Sequence, residues 1–78
     1  MKVDLKCFST LVNQDTCEYK DGTAYELEDG QTVEHLAQRA GIKGKDVKIA
    51  FVNSTHANLD TVLAEGDRVA LSPATAVL

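Results

Sequence analysis

Apolar and polar residues alternate from the first positions of the chain, with Val3, Leu5 and Cys7 separated by Asp4 and Lys6. A period of two sends successive side chains to opposite faces of a strand, one onto a core and one into water. A first strand is therefore predicted here. Beyond residue 8 the pattern weakens, Asn13-Gln14-Asp15-Thr16 reads as loop, and Asp21-Gly22 supplies a tight-turn signal. A second strand follows, with Tyr25 and Leu27 directed inward. Residues 17–20 either pair across the turn as a short extra strand or stay irregular.

The period then changes. Glu28-Asp29-Gly30-Gln31 closes the second strand, and Thr32 stands where a helix needs a side-chain oxygen for its free backbone N–H groups. Val33, Leu36, Ala37 and Ala40 fall at i, i+3, i+4 and i+7, one apolar stripe, while Glu34, Gln38 and Arg39 face solvent. The spacing predicts a helix over residues 32–40. Gly41 is suited to the left-handed conformation that ends a helix, with Ile42 folding back on its last turn.

Lys43-Gly44-Lys45-Asp46 reads as loop, and residues 47–52 carry the most apolar stretch of the chain. Alternation predicts a central strand there, with Val47, Ile49 and Phe51 inward. Residues 53–58 are polar and turn-like, Leu59, Val62 and Leu63 offer buried contacts, and Glu65-Gly66-Asp67 is a tight turn. Residues 68–72 form the last strand. Pro73 cannot donate a backbone hydrogen bond, so the ladder ends near it. The expected core sets the helix stripe against Val3, Leu5, Val47, Ile49, Phe51, Val69 and Leu71.

An antiparallel hairpin, one crossing helix and further strands bury both apolar surfaces with few residues when the helix packs on one face of a mixed sheet. The predicted class is α+β with a β-grasp layout. Residues 1–73 form its single domain and residues 74–78 a short uncharged tail.

Composition narrows the chemistry. The chain has 78 residues, 44% hydrophobic and 26% charged, ordinary globular proportions that exclude wholesale disorder. A chain this short has little depth for a catalytic cleft. Its longest apolar run, Ile49-Ala50-Phe51-Val52, is far below the ~20 residues that cross a bilayer. The N-terminus lacks the continuous apolar core of a secretory signal, so a cytoplasmic location and no membrane association are expected. A net charge of -4 argues against nucleic acid, whose phosphates require a dense Lys/Arg footprint. The charges are unevenly placed: residues 15–34 hold seven acids against Lys20, and residues 39–48 four bases against Asp46. A polar protein partner can read that asymmetry, although charge runs are usually only a solvated surface.

No residue pattern announces catalysis or a cofactor. His35 falls on the helix and His56 in the polar loop, without the short Cys/His spacing of a metal site, so no metal is expected. Two cysteines, Cys7 and Cys17, are too few for a disulfide framework or for a four-thiolate iron–sulfur cluster. They are expected to be reduced thiols, Cys7 a small buried hydrophobe and Cys17 more exposed, beside Glu18, which raises its pKa. Neither has the partners of a nucleophile. The five glycines lack G-x-G-x-x-G or Walker spacing and act as turns and helix ends. Asn53-Ser54-Thr55 matches a glycosylation acceptor and is read as loop.

Three stretches carry a resemblance: Asp29-Gly30-Gln31-Thr32-Val33 with Leu36 opening the helix, Phe51-Val52-Asn53 ending the third strand, and Leu63-Ala64-Glu65-Gly66-Asp67-Arg68-Val69 leading through Leu71-Ser72-Pro73. In this order the chain resembles the ThiS/MoaD sulfur-carrier family. The resemblance implies a ubiquitin-like fold and a C-terminal tail ending in Gly-Gly. It implies adenylation of the terminal carboxylate by a ubiquitin-activating-type enzyme, conversion to a thiocarboxylate, and sulfur delivery to a molybdopterin or thiazole precursor. Aligning Pro73-Ala74-Thr75 with the family's Pro-x-Thr puts Ala76 and Val77 where the glycines belong, with Leu78 beyond. Val77 is β-branched and stiff, a poor fit to a channel shaped for glycine.

Three functions remain in view. The first is a docking module without sulfur chemistry, the second a working sulfur carrier whose tail is accepted or processed, and the third a structural relative with an unrelated role such as a regulatory subunit. The expected partner is an adenylating enzyme or a molybdopterin-synthase-like large subunit. It would meet Arg68, Ala70, Ser72, Pro73, Ala76, Val77 and Leu78. The chain supplies no catalytic group of its own.

Overall fold

The computed structural model describes residues 1–8, 11, 17 and 22–73. Its elements are β1 (Lys2–Cys7), β2 (Thr23–Glu26), α1 (Val33–Arg39), a 3-10 turn (Gly44–Asp46), β3 (Ile49–Val52), β4 (Thr55–Ala57) and β5 (Arg68–Ser72). They form a five-stranded sheet in the order β2-β1-β5-β3-β4. The central pair β1 and β5 is parallel, and the other pairings are antiparallel. Helix α1 covers one face, as expected of a mixed β-grasp sheet.

Alternation in β1 survives folding intact: Val3, Leu5 and Cys7 are buried while Lys2, Asp4 and Lys6 are exposed. The parallel register sets Leu5 against Val69 and Cys7 against Leu71, so both central strands send their apolar residues to the helix. Tyr25 packs against this core, and Leu27 is buried just past the end of β2. The described residues contain no buried polar or charged side chain.

The helix begins and ends as its residues dictate. Thr32 Oγ1 accepts from the His35 N–H at 3.5 Å, and His35 Nδ1 accepts from the Thr32 N–H at 2.9 Å. This is a capping box with histidine in the place usually held by Glu or Gln. The next two amides, of Val33 and Glu34, donate to the carbonyls of Thr61 and Leu59, which ties the segment before β5 to the helix start. At the other end Gly41 has φ +76°, Ile42 N–H donates to Ala37 O at 2.8 Å and Gly41 N–H to Gln38 O at 3.0 Å. That pair of bonds is a Schellman motif, which satisfies carbonyls the helix leaves free.

The structure corrects the reading of residues 47–58. Ala50, not Phe51, is the buried residue of β3, 4% exposed against 38%. Val47 reaches the core edge from before the strand, and Val52 touches it from within. Because strand side chains repeat every two residues, a one-residue phase error reverses every assignment. The phase is set after the strand, where Asn53 and Ser54 both have positive φ, 53° and 68°. This two-residue turn pairs Val52 with Thr55 and starts β4, in a stretch expected to be turn only. Asn53 further locks the register, since its N–H donates to Arg68 O, its Oδ1 accepts from Arg68 N–H at 3.0 Å, and its Nδ2 donates to Asp67 at 2.9 Å. With its side chain so engaged, Asn53 is a structural turn residue. The central strand is β5, with β3 beside it. Val62 is 61% exposed, not buried, whereas Leu63 is in the core.

The cysteines require a second correction. Cys7 and Cys17 form a disulfide, with Cα atoms 5.6 Å apart, and both are fully buried. The expectations of reduced thiols and of an exposed Cys17 are overturned. A single bridge is not a disulfide framework, yet closing a ring of sequence separation 10 removes unfolded-state entropy worth about 3 kcal/mol in the chain-entropy picture. In a domain this small that is a sizeable fraction of the total stability.

Candidate functional site

The sheet face opposite the helix carries the side chains that the core rejects. Register aligns Lys6 of β1, Ala70 of β5, Phe51 of β3 and His56 of β4 in one row across four strands. Asp4 and Arg68 lie opposite each other one pleat away. Phe51 and His56 meet edge to face, ring centroids 5.8 Å apart at 85°. Phe8 continues the β1 edge of this surface just past the strand, its N–H donating to Leu71 O at 3.0 Å, and is 38% exposed.

Between these residues lies a shallow depression of about 650 Å³, walled by Phe8 and Phe51, floored by Ala70 and rimmed by Asp4, Lys6 and Arg68. The small Ala70 side chain makes the hollow possible. An apolar centre within a polar, charged rim is the anatomy of a protein-docking surface. Although the whole chain carries -4, the rim contributes Lys6 and Arg68 against Asp4. The patch is therefore apolar at its centre and carries a local excess of positive charge at its rim.

Of the residues expected to bind a partner, Arg68, Ala70 and Ser72 come together on this face as outward residues of β5. Pro73 follows them half-buried. Ala76, Val77 and Leu78 lie outside the described residues. Sequence reasoning missed Phe8, Phe51, Lys6 and Asp4. The two charged residues were legible, since the alternation that buries Leu5 also points its neighbours outward. Phe51 was hidden by the phase error in β3. Among the described residues no group of three or more His, Cys, Asp or Glu side chains is arranged to hold a metal.

Away from this face, the Arg39 guanidinium lies 5.9 Å from the centre of the Tyr25 ring and donates to Glu26 O at 2.9 Å. Burial pushes the Tyr25 phenol above its ordinary pKa, and the Arg39 charge pulls it part of the way back. This pair braces the helix against β2 and takes no part in the depression.

A five-stranded mixed sheet crossed by one helix is the β-grasp layout of small ubiquitin-like proteins. The sequence model of the ThiS family matches residues 10–76, and the chain belongs to that family. No curated protein and no solved structure matches it. No helix among the described residues is long and apolar enough to cross a membrane.

Proposed function

We propose that this ThiS-family chain works as a docking module, a β-grasp body of residues 1–73 bearing a tail of residues 74–78, and that it carries no thiocarboxylate and catalyses no reaction itself. The partner binds the depression around Ala70 and takes up Pro73, Ala76, Val77 and Leu78 beside it. The partner is an ATP-dependent adenylating enzyme of the ubiquitin-activating type or a molybdopterin-synthase-like large subunit. The observation that carries the reading is the tail sequence, with Ala76 and Val77 where a sulfur carrier has two glycines. Adenylation brings a terminal carboxylate to a nucleotide α-phosphate at bonding distance, and a misplacement of ~1 Å costs about a hundredfold in rate. β-Branched Val77, standing where the family has glycine, is a stiff occupant of a channel shaped for glycine.

The alternative, a working sulfur carrier, is supported by the family match, which extends through residue 76. Intact-mass spectrometry separates the two. The chain is incubated with ATP, a sulfur donor and the adenylating enzyme of its own host, beside a variant with Ala76→Gly, Val77→Gly and Leu78 deleted. The variant is expected to gain the mass of one sulfur in exchange for one oxygen, and the unaltered chain is not. Equal gain by both replaces the docking reading with the carrier reading. Docking is read separately by titrating the same enzyme with Ala70→Asp and Arg68→Glu, each expected to weaken binding at least tenfold, with the exposed helix substitution Gln38→Glu neutral. Equal affinity for all of them places the interface elsewhere.

A further inference from the structure

We infer that the Cys7–Cys17 disulfide is a positioning clasp for the docking face, so that the Phe8 wall of the depression is complete only in the oxidised chain. The functional half of this inference rests on the docking reading above. Its structural half does not.

The connection between β1 and β2 covers residues 8–22. Connections of this length are uncommon in compact domains. The bridge resolves this by joining Cys17 to the last residue of β1, dividing the connection into a closed ring and a short return. Cys7 is itself anchored, since it stands in register with Leu71 of the central strand β5. The ring leaves β1 through Phe8, which holds Leu71 O, and Leu11, whose N–H donates to Phe8 O at 3.2 Å and whose side chain packs on the core. Phe8 is also a wall of the depression. One covalent bond thus restrains a segment that contributes to both the core and the docking face.

Both sulfurs are buried, so a dissolved thiol cannot reach them without local opening. The bridge therefore behaves as a durable clasp set during folding. Its formation takes two thiols to a disulfide with loss of two protons and two electrons, accepted by a disulfide donor that is reduced to a dithiol. Disulfides of this kind persist in oxidising surroundings.

The test begins with alkylation of the purified chain, unfolded in denaturant without reductant, followed by intact-mass analysis. No alkylated thiol is expected, and labelling of both cysteines overturns the inference. Amide hydrogen exchange is then compared between the oxidised chain, the same chain refolded under reductant, and a Cys7→Val/Cys17→Ala variant that refills the sulfur volume. Without the bridge, Phe8 and Leu11 are expected to lose at least tenfold in protection while Ile42 and Asn53 keep theirs. Unchanged protection at Phe8 overturns the clasp. So does equal loss at all four amides in the volume-restored variant, because the bridge then supports the whole fold and not this segment. Titration of the host's adenylating enzyme reads the functional half: the bridged chain is expected to bind at least fivefold more tightly. Equal binding overturns that half, whereas no binding by either form removes the docking reading and leaves the clasp to be decided by exchange.

Discussion

Phe51 sits in the most apolar run of the chain, yet its ring lies on the open face and its neighbour Ala50 fills the core. Truncating a buried phenylalanine costs about 3–5 kcal/mol. For Phe51→Ala the expected loss in urea unfolding is instead below about 1.5 kcal/mol, because the ring is already 38% exposed and contacts His56 edge to face. A loss near the core value would place the ring inside. The same variant is expected to weaken partner binding more than it weakens the fold. Tyr25 provides a test of opposite character. Its phenol is favoured neutral in the folded state, so its pKa is raised relative to the unfolded chain. The associated stability is fully present below the unfolded value of 10.0 and is lost as pH rises through the higher folded value. Comparing thermal melts of the wild type and Tyr25→Phe across pH 9 to about 11 should show the wild type losing stability faster above pH ~10. Parallel pH curves would count against a burial-raised phenol. The effect is small, since the side chain is only partly shielded from solvent.

At the scale of elements, α1 is short and depends on its ends. Its hydrogen-bonded core spans only Val33–Arg39, too short to persist alone. The Thr32–His35 capping box, the carbonyls of Leu59 and Thr61, and the Gly41 motif supply what intrinsic propensity does not. Thr32→Ala removes the oxygen that receives the His35 N–H and is expected to cost about 1 kcal/mol in chemical denaturation. Thr32→Ser, which keeps the oxygen, should recover most of it. If alanine and serine destabilise equally, the side-chain oxygen is not what caps the helix. The helix was legible because its start signal, apolar stripe and stop signal agree in one short window. In β3 the signals conflicted. Alternation alone allowed either phase, and the deciding information lay in the backbone of Asn53 and Ser54 and in the bonds of Asn53 to Asp67 and Arg68, distant in sequence.

At the scale of the whole molecule, the parallel pairing of β1 with β5 sets the start of β1 and the end of β5 at opposite ends of the two central strands. The last strand ends at Ser72 in the middle of the sheet. Deleting residues 74–78 tests whether the tail serves the fold or the partner. A docking tail predicts a Tm change below about 4 °C, the equivalent of under 1 kcal/mol in a domain of this size. A larger drop assigns the tail to the core. The sequence by itself determined the fold class, the helix with both of its ends, the inward face of β1 and the outward face of β5. Each of these follows from residues within one turn or one strand of each other, where local periodicity and capping chemistry act. Only the tertiary structure decided the phase of β3, the existence of β4, the joining of Cys7 to Cys17 and the assembly of Phe8, Phe51, Lys6 and Arg68 around Ala70. The physical reason is common to all four: strand register, disulfide distance and surface hollows are properties of segments far apart in the chain, and no local pattern encodes which of them will meet.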